Sequence, residues 1–184
     1  MEVGRRVTPV VAKEMVSTFL GAKHVEIDTA TMYADTETEK ILGNISEWKN
    51  RAIIATKINP WGDGSMKMHG LNFTAESVRQ QTEGENINDS WLQLIKLVIS
   101  DALARLGVDC VDILYLHAPD HKTSLFETLS ELAKLKEQGK FKELGLSNYS
   151  SWLTCEVVNI AKQNGFPVPT VYQGMYSGKV IMML

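Results

Sequence analysis

The chain has 184 residues, of which 44% are hydrophobic and 22% are charged, and its formal net charge is −3. This composition excludes a disordered or collagen-like chain, and the near-balanced charge does not favour binding to nucleic acid or to an anionic membrane. The longest apolar run, 92–99, contains Gln93 and Lys96 and is shorter than the ~20 residues of a membrane-spanning helix. With two cysteines and no apolar signal segment near residue 1, the sequence predicts one cytoplasmic domain.

Amphipathic and short apolar segments alternate along the chain. The predicted helices cover 12–20, 36–42, 75–81, 124–138 and 152–164, and 101–106 ends another helix. The predicted strands cover 25–27, 52–56, 111–116, 144–146 and 170–172. Because the strands alternate with helices, we expect a parallel sheet with right-handed crossovers.

The spacing of the strands favours a (β/α)₈ barrel. Consecutive strand centres lie about 30 residues apart, as in that fold, except that the second step is about twice as long. The excess falls on 82–100, which we interpret either as a loop with an extra buried helix or as an inserted segment. The chain is also shorter than the ~250 residues of a complete barrel, so we expect an incomplete one.

Polar or ionisable side chains follow all five predicted strands, where the catalytic groups of such barrels lie. They are Asp28, Lys57, His117, Ser147 with Asn148, and Gln173, and Tyr33 lies five residues beyond Asp28. Taken singly, each of them is equally suited to a turn or a cap, and Asp28 with Lys57 to a structural ion pair.

Taken together, these side chains suit the addition of hydride to a carbonyl group. An ammonium such as Lys57 lowers the pKa of a nearby phenol, so that Tyr33 becomes a general acid, and Asp28 keeps the ammonium charged. A neutral His117 would orient the carbonyl oxygen. Hydroxyl and amide side chains bind a carboxamide without charge, which suits a nicotinamide as the hydride donor.

The segments around these residues resemble the signatures of aldo-keto reductases. They are DTATMY (28–33), ATK (55–57), LHAPD (116–120) and GLSNY (145–149). Three segments resemble sequences of the aflatoxin-aldehyde or succinic semialdehyde reductase subfamily. They are TKINPW (56–61), HAPDH (117–121) and PTVYQGMY (169–176). The resemblance covers about 1–81 and 101–176.

The resemblance implies an oxidoreductase that reduces aldehydes with NADPH. It implies Tyr33 as the proton donor, with Lys57 and Asp28 activating it and His117 positioning the carbonyl. It assigns Asp28, Ser147, Asn148 and Gln173 to the cofactor. The implied partners are an aldehyde or dicarbonyl substrate and a second copy in a homodimer.

The resemblance also implies what the chain lacks. We expect the first barrel strand to be mostly missing and the last two strands to be absent, with 1–176 as a partial barrel domain, 82–100 as an insertion and 177–184 as an unrelated tail. The absent part includes groups that bind the cofactor in the family, so we expect weak or no turnover. The alternative is a non-catalytic fragment that pairs with a full-length relative through an exposed strand edge.

His117 also suggests two other functions, metal binding and hydrolysis. His117 and His121 flank Asp120 in a loop that contains a proline, without a third cluster of ligands, so we predict no metal site. Hydrolysis that uses His117 and Asp120 is the weaker enzymatic alternative.

Overall fold

The computed structural model describes residues 7–34, 36–59, 89–121 and 123–175. In these residues five parallel strands form one sheet in chain order, curled into a half-barrel. The strands are β1 Glu26–Asp28, β2 Ile53–Ile58, β3 Val111–Leu116, β4 Phe141–Ser147 and β5 Val171–Gln173. The prediction of an incomplete (β/α)₈ architecture with about five parallel strands is confirmed.

Five α-helices and one 3₁₀ turn accompany the strands in the described residues. They are α1 Pro9–Gly21, α2 Glu37–Gly43, α3 Asp89–Leu106, α4 Leu125–Glu137 and α5 Ser151–Asn164, with the 3₁₀ turn at Ser46–Trp48. The 3₁₀ turn was not predicted, and β4 begins three residues earlier than predicted. The predicted helix 75–81, the segment 82–88 and the tail 177–184 lie outside the described residues.

Helix α3 joins two segments that the sequence analysis separated. Residues 89–106 form one continuous helix, so the boundary between 100 and 101 falls inside it. Ile95, Ile99 and Leu106 are fully buried and lie at helical spacing along one side. The segment 89–100 therefore extends the predicted helix 101–106, and the interpretation of 82–100 as an insertion stays a prediction.

Local sequence signals begin and end the helices. The side chains of Thr8 and Ser150 accept hydrogen bonds from backbone N–H groups in the first turns of α1 and α5. Gly165 follows α5 with a φ of 68°, a left-handed conformation that glycine adopts without steric cost. These caps satisfy backbone groups that the helices leave without intrahelical partners.

The sheet has two different faces because successive strand residues point to opposite sides. The outer face packs against the helices and forms the main core, with residues such as Ile54, Leu114 and Leu144. The inner face carries a small apolar cluster of Ala55, Ile113 and Tyr115, with Val171 beside it. Lys57 alternates with the outer-face residues of β2, which places it on the inner face.

A buried polar network joins α2, β2 and α3 on the outer face. Glu39 of α2 is fully buried, accepts a hydrogen bond of 2.6 Å from the hydroxyl of Thr56, and pairs with Arg105 Nε at 2.8 Å. The two helices approach closely here, since a Cβ on Gly43 would lie 2.0 Å from the carbonyl oxygen of Arg105. Gly43 is thus required by helix packing.

We expect Glu39→Ala to lower the free energy of unfolding by roughly 3 kcal/mol, because it leaves Arg105 and Thr56 without their buried acceptor. Urea denaturation followed by circular dichroism measures this loss. The matched control is Glu37→Ala, which removes an exposed ion pair with Lys40 and should cost under about 1 kcal/mol. Equal losses in the two variants would contradict a stabilising role for the buried network.

Candidate active site

The carboxyl ends of β1, β2 and β3 bring the predicted catalytic side chains together. Asp28 is the last residue of β1, Lys57 lies one residue before the end of β2, and His117 follows β3 directly. The loop after β1 is tied to β2, since Thr31 donates from its backbone N–H and from its hydroxyl to the carbonyl oxygen of Lys57. That loop carries Tyr33 back over β2.

Lys57 is fully buried and paired with Asp28. Its ammonium donates to both carboxylate oxygens of Asp28, at 2.6 Å for Oδ1, and to the backbone carbonyl of Thr29 at 3.0 Å. Burial lowers the pKa of Lys57, while the hydrogen bond and the negative charge of Asp28 act in the opposite direction. Asp28 therefore stabilises the charged form of Lys57, which burial disfavours.

Tyr33 places its hydroxyl beside this ammonium. The Tyr33 hydroxyl lies 3.5 Å from Lys57 Nζ, at the outer limit of a hydrogen bond, and Nζ lies 5.1 Å from the centre of the Tyr33 ring. The Tyr33 ring meets the imidazole of His117 edge-on, with ring centres 6.2 Å apart and an angle of 81° between their planes. The phenol is thus held between a cation and an imidazole.

His117 is a neutral imidazole at this position. Burial and, to a smaller extent, the nearby charge of Lys57 lower the pKa of His117 to about 4, against the weaker opposing effect of Asp28. The backbone N–H of His117 donates to the carbonyl oxygen of Ile58 at 2.9 Å, which ties the end of β3 to β2. A neutral imidazole can donate one hydrogen bond and accept another.

The predicted cofactor-binding residues lie at the ends of β4 and β5. Gln173 is the register partner of Ser147, and Asn148 follows Ser147 with a φ of 60°. The Asn148 side-chain amide donates to the carbonyl oxygen of His117 at 2.8 Å and to the hydroxyl of Ser147 at 3.1 Å. The backbone of His117 therefore connects this group to the catalytic group.

The structure thus brings all the predicted site residues to one edge of the sheet. Ser147 is buried, Asn148 is exposed, and Gln173 is partly exposed. Their hydroxyl and amide groups form an uncharged set of donors and acceptors, which fits a carboxamide such as that of nicotinamide.

Sequence reasoning missed one residue of the site. Tyr115 is 2% exposed, and its ring centre lies 5.6 Å from Lys57 Nζ. The sequence predicts only that Tyr115 is one of the apolar residues of the strand 111–116, in which Asp112 is the single charged residue. The alternation of β3 carried the signal, since Tyr115 lies two residues before His117.

In the described residues, no three His, Cys, Asp or Glu side chains are grouped so that they could hold a metal ion. None of the helices in the same ranges is long and apolar enough to cross a membrane. Cys110 and Cys155 are free thiols.

The half-buried, neutral His117 makes folding sensitive to acid. The unfolded chain binds this proton with a pKa near 6.5 and the folded chain near 4, so stability falls as pH decreases between those values. Because His117 is only half-buried and solvent screens its interactions, we expect the wild type to lose about 1–2 kcal/mol more than His117→Gln between pH 7 and pH 4. Urea denaturation at several pH values measures the difference. A His117→Gln profile parallel to that of the wild type would contradict the neutral, half-buried state of His117.

Comparisons with known proteins identify the family of this chain. The Aldo/keto reductase family matches residues 1–178. Aflatoxin B1 aldehyde reductase member 2 of Homo sapiens is 42% identical over 96% of this chain and 44% of its own length. Aflatoxin B1 aldehyde reductase member 4 of Homo sapiens is 41% identical over 96% of this chain and 47% of its length.

A solved structure supports the fold independently. The thermostable aldo-keto reductase Tm1743, crystallised with the inhibitor epalrestat, is similar with a TM-score of 0.70 and 22% identity, over 96% of this chain and 54% of that chain. The chain spans about half the length of the curated relatives it matches. Family matching along almost the whole sequence, together with the half-barrel, establishes that the chain belongs to the aldo/keto reductase family.

Proposed function

We propose that this chain carries the catalytic centre of an NADPH-dependent oxidoreductase that reduces aldehydes or ketones to alcohols. The observation that carries the proposal is the Tyr33 hydroxyl beside the buried ammonium of Lys57, which Asp28 holds in place. The substrate class is a small aldehyde or dicarbonyl, in keeping with the names of the human relatives.

The Lys57 ammonium prepares Tyr33 to give up its proton. A positive charge near a phenol stabilises the phenolate that remains after proton transfer, and burial strengthens this interaction because water screens it less. Asp28 fixes the ammonium from the opposite side through its two carboxylate oxygens. Tyr33 then protonates the carbonyl oxygen as negative charge develops there.

His117 orients the carbonyl in this proposal. Because its pKa is about 4, the imidazole stays neutral near pH 7 and donates a hydrogen bond without losing a proton to the substrate. The edge-on contact with Tyr33 places the two donors next to each other. A carbonyl oxygen that accepts from both would present its carbon in a fixed direction.

Ser147, Asn148 and Gln173 would hold the nicotinamide carboxamide, with Asp28 near the nicotinamide ribose. A reduced nicotinamide supplies hydride when it is bound. The preference for the phosphorylated cofactor rests on the family resemblance. The hydrogen bond from the Asn148 side chain to the backbone carbonyl of His117 would fix the cofactor-binding residues relative to the residue that orients the substrate carbonyl.

Replacing Tyr33 by Phe tests the proton transfer. We expect single-turnover consumption of NADPH with an aldehyde to fall by about 10²- to 10⁴-fold, since that is the contribution of a general acid. Absorbance of the reduced cofactor, with the chain in excess, measures the rate.

The matched control is Tyr172→Phe, which removes a hydroxyl that donates to the backbone carbonyl of Tyr149, two residues beyond the end of β4, and should leave the rate within a few-fold. Aldehyde-dependent consumption that survives unchanged in Tyr33→Phe would overturn the assigned proton donor. No consumption by the wild type would favour the non-catalytic alternative, in which the chain pairs with a full-length relative.

Replacing Gln173 by Leu tests the cofactor site separately from turnover. Loss of one carboxamide hydrogen bond should weaken NADPH binding by about 5- to 10-fold, at a cost near 1 kcal/mol. Titration of protein fluorescence with NADPH gives the dissociation constants. The exposed Gln163→Leu on α5 is the control, and equal affinities of Gln173→Leu and the wild type would contradict the assignment.

A further inference from the structure

Three adjacent strands place Lys57, Tyr115 and Gly145 side by side on the inner face. Lys57 of β2 is the register partner of Tyr115 in β3, and Tyr115 is the register partner of Gly145 in β4. In parallel strands, register partners project to the same face of the sheet. The Tyr115 ring therefore lies between the ammonium of Lys57 and the backbone of Gly145.

Gly145 makes room for the ring. A Cβ at Gly145 would lie 2.4 Å from Cδ1 and from Cε1 of Tyr115, much closer than carbon atoms approach each other in proteins. Gly145 does not have the positive φ that would itself require glycine. Glycine is therefore needed at position 145 because any side chain would occupy the space of the Tyr115 ring. The ring packs directly against the backbone of β4.

The seated ring completes an aromatic enclosure of Lys57. Nζ lies 5.6 Å from the centre of the Tyr115 ring and 5.1 Å from the centre of the Tyr33 ring. Both distances lie within the range in which an aromatic face attracts a cation, and the attraction grows when the cation is removed from water, as the fully buried Lys57 is.

We propose that Tyr115 is a positioning residue: its ring, seated on Gly145, stabilises the charged form of Lys57 and holds the ammonium next to the Tyr33 hydroxyl. The proposal deepens the proposed function and rests on it for its catalytic meaning. Tyr115 does not touch the reacting atoms, and it acts through Lys57.

The charged and titratable groups around Lys57 are consistent with this role. Asp28 faces the ammonium from β1, Tyr33 from the loop after β1, and His117 from the end of β3. Burial raises the pKa of Tyr115 to about 12, helped by three carboxylates, those of Asp28, Glu26 and Glu143. Tyr115 therefore remains a neutral phenol, and Asp28 stays the anionic partner of Lys57.

The direct test follows the titration of Lys57 by NMR of isotope-labelled lysine ε-carbons in the full chain. Tyr115→Leu removes the aromatic face but keeps an apolar, water-excluding side chain, so the pKa of Lys57 should fall by about one unit. Tyr115→Phe keeps the face, and its value should stay within a few tenths of the wild type. If the ring only filled space, Tyr115→Leu would leave the pKa of Lys57 unchanged, or would raise it where the smaller side chain lets water approach, and either result overturns the proposal.

Gly145→Ala displaces the ring without altering Tyr115, and it should also lower the pKa of Lys57. Gly21→Ala, where no atom lies within 4 Å of the added Cβ, is the matched control and should leave the titration unchanged. Should Tyr115→Leu not fold, the wild type still decides: contacts between the Tyr115 ring protons and the Lys57 ε-protons are expected, and their absence overturns the proposal.

These measurements do not depend on turnover. Failure of the proposed function would appear as carbonyl reduction that is indifferent to Tyr33→Phe, with the Lys57 titration still responding to Tyr115→Leu. Failure of the Tyr115 proposal would appear as a Lys57 titration that Tyr115→Leu leaves unchanged, whatever the effect of Tyr33→Phe on reduction.

Discussion

The ion pair between Lys57 and Asp28 is the contact on which the arrangement of the site depends. A fully buried ammonium is stable only when an opposite charge and hydrogen-bond acceptors replace the water it has lost. The carboxylate of Asp28 and the carbonyl of Thr29 supply these acceptors from adjacent positions at the end of β1. The parallel pairing of β1 with β2 brings Asp28 and Lys57 together, so the register of these strands also fixes the arrangement of the site.

The outer face of the sheet supports that pairing from behind. Thr56, next to Lys57 in sequence but on the opposite face, donates to the buried carboxylate of Glu39, which also binds Arg105 of α3. Helix α2 follows the loop that carries Tyr33, so its attachment to β2 also restrains that loop. The distance between the Tyr33 hydroxyl and Lys57 is thereby held from both ends of the loop, by Thr31 near its start and by Glu39 beyond its end.

The inner face shows how a charged side chain is accommodated among apolar ones. Lys57 shares this face with Ala55 and Tyr115, and the ammonium lies between two aromatic rings. In the proposed mechanism the same charge that must be stabilised in the resting protein also favours the phenolate of Tyr33. A group that keeps Lys57 charged therefore affects both stability and proton transfer. In our proposal Tyr115 is such a group, and Gly145 leaves the space for its ring.

The sequence by itself determined the parallel sheet of an incomplete barrel and the polar residues at the strand ends. The spacing of apolar residues and the glycines that end helices are local properties, which can be recognised without the tertiary structure. It also predicted that Asp28, Lys57 and Tyr33 would meet, although the family resemblance contributed to this. Tertiary structure alone decided the continuity of α3, the Glu39 network and the enclosure of Lys57 by Tyr115. Each of these depends on side chains far apart in the chain, such as Tyr115 and Gly145, whose contact follows from strand register and packing and leaves no periodic mark in the sequence.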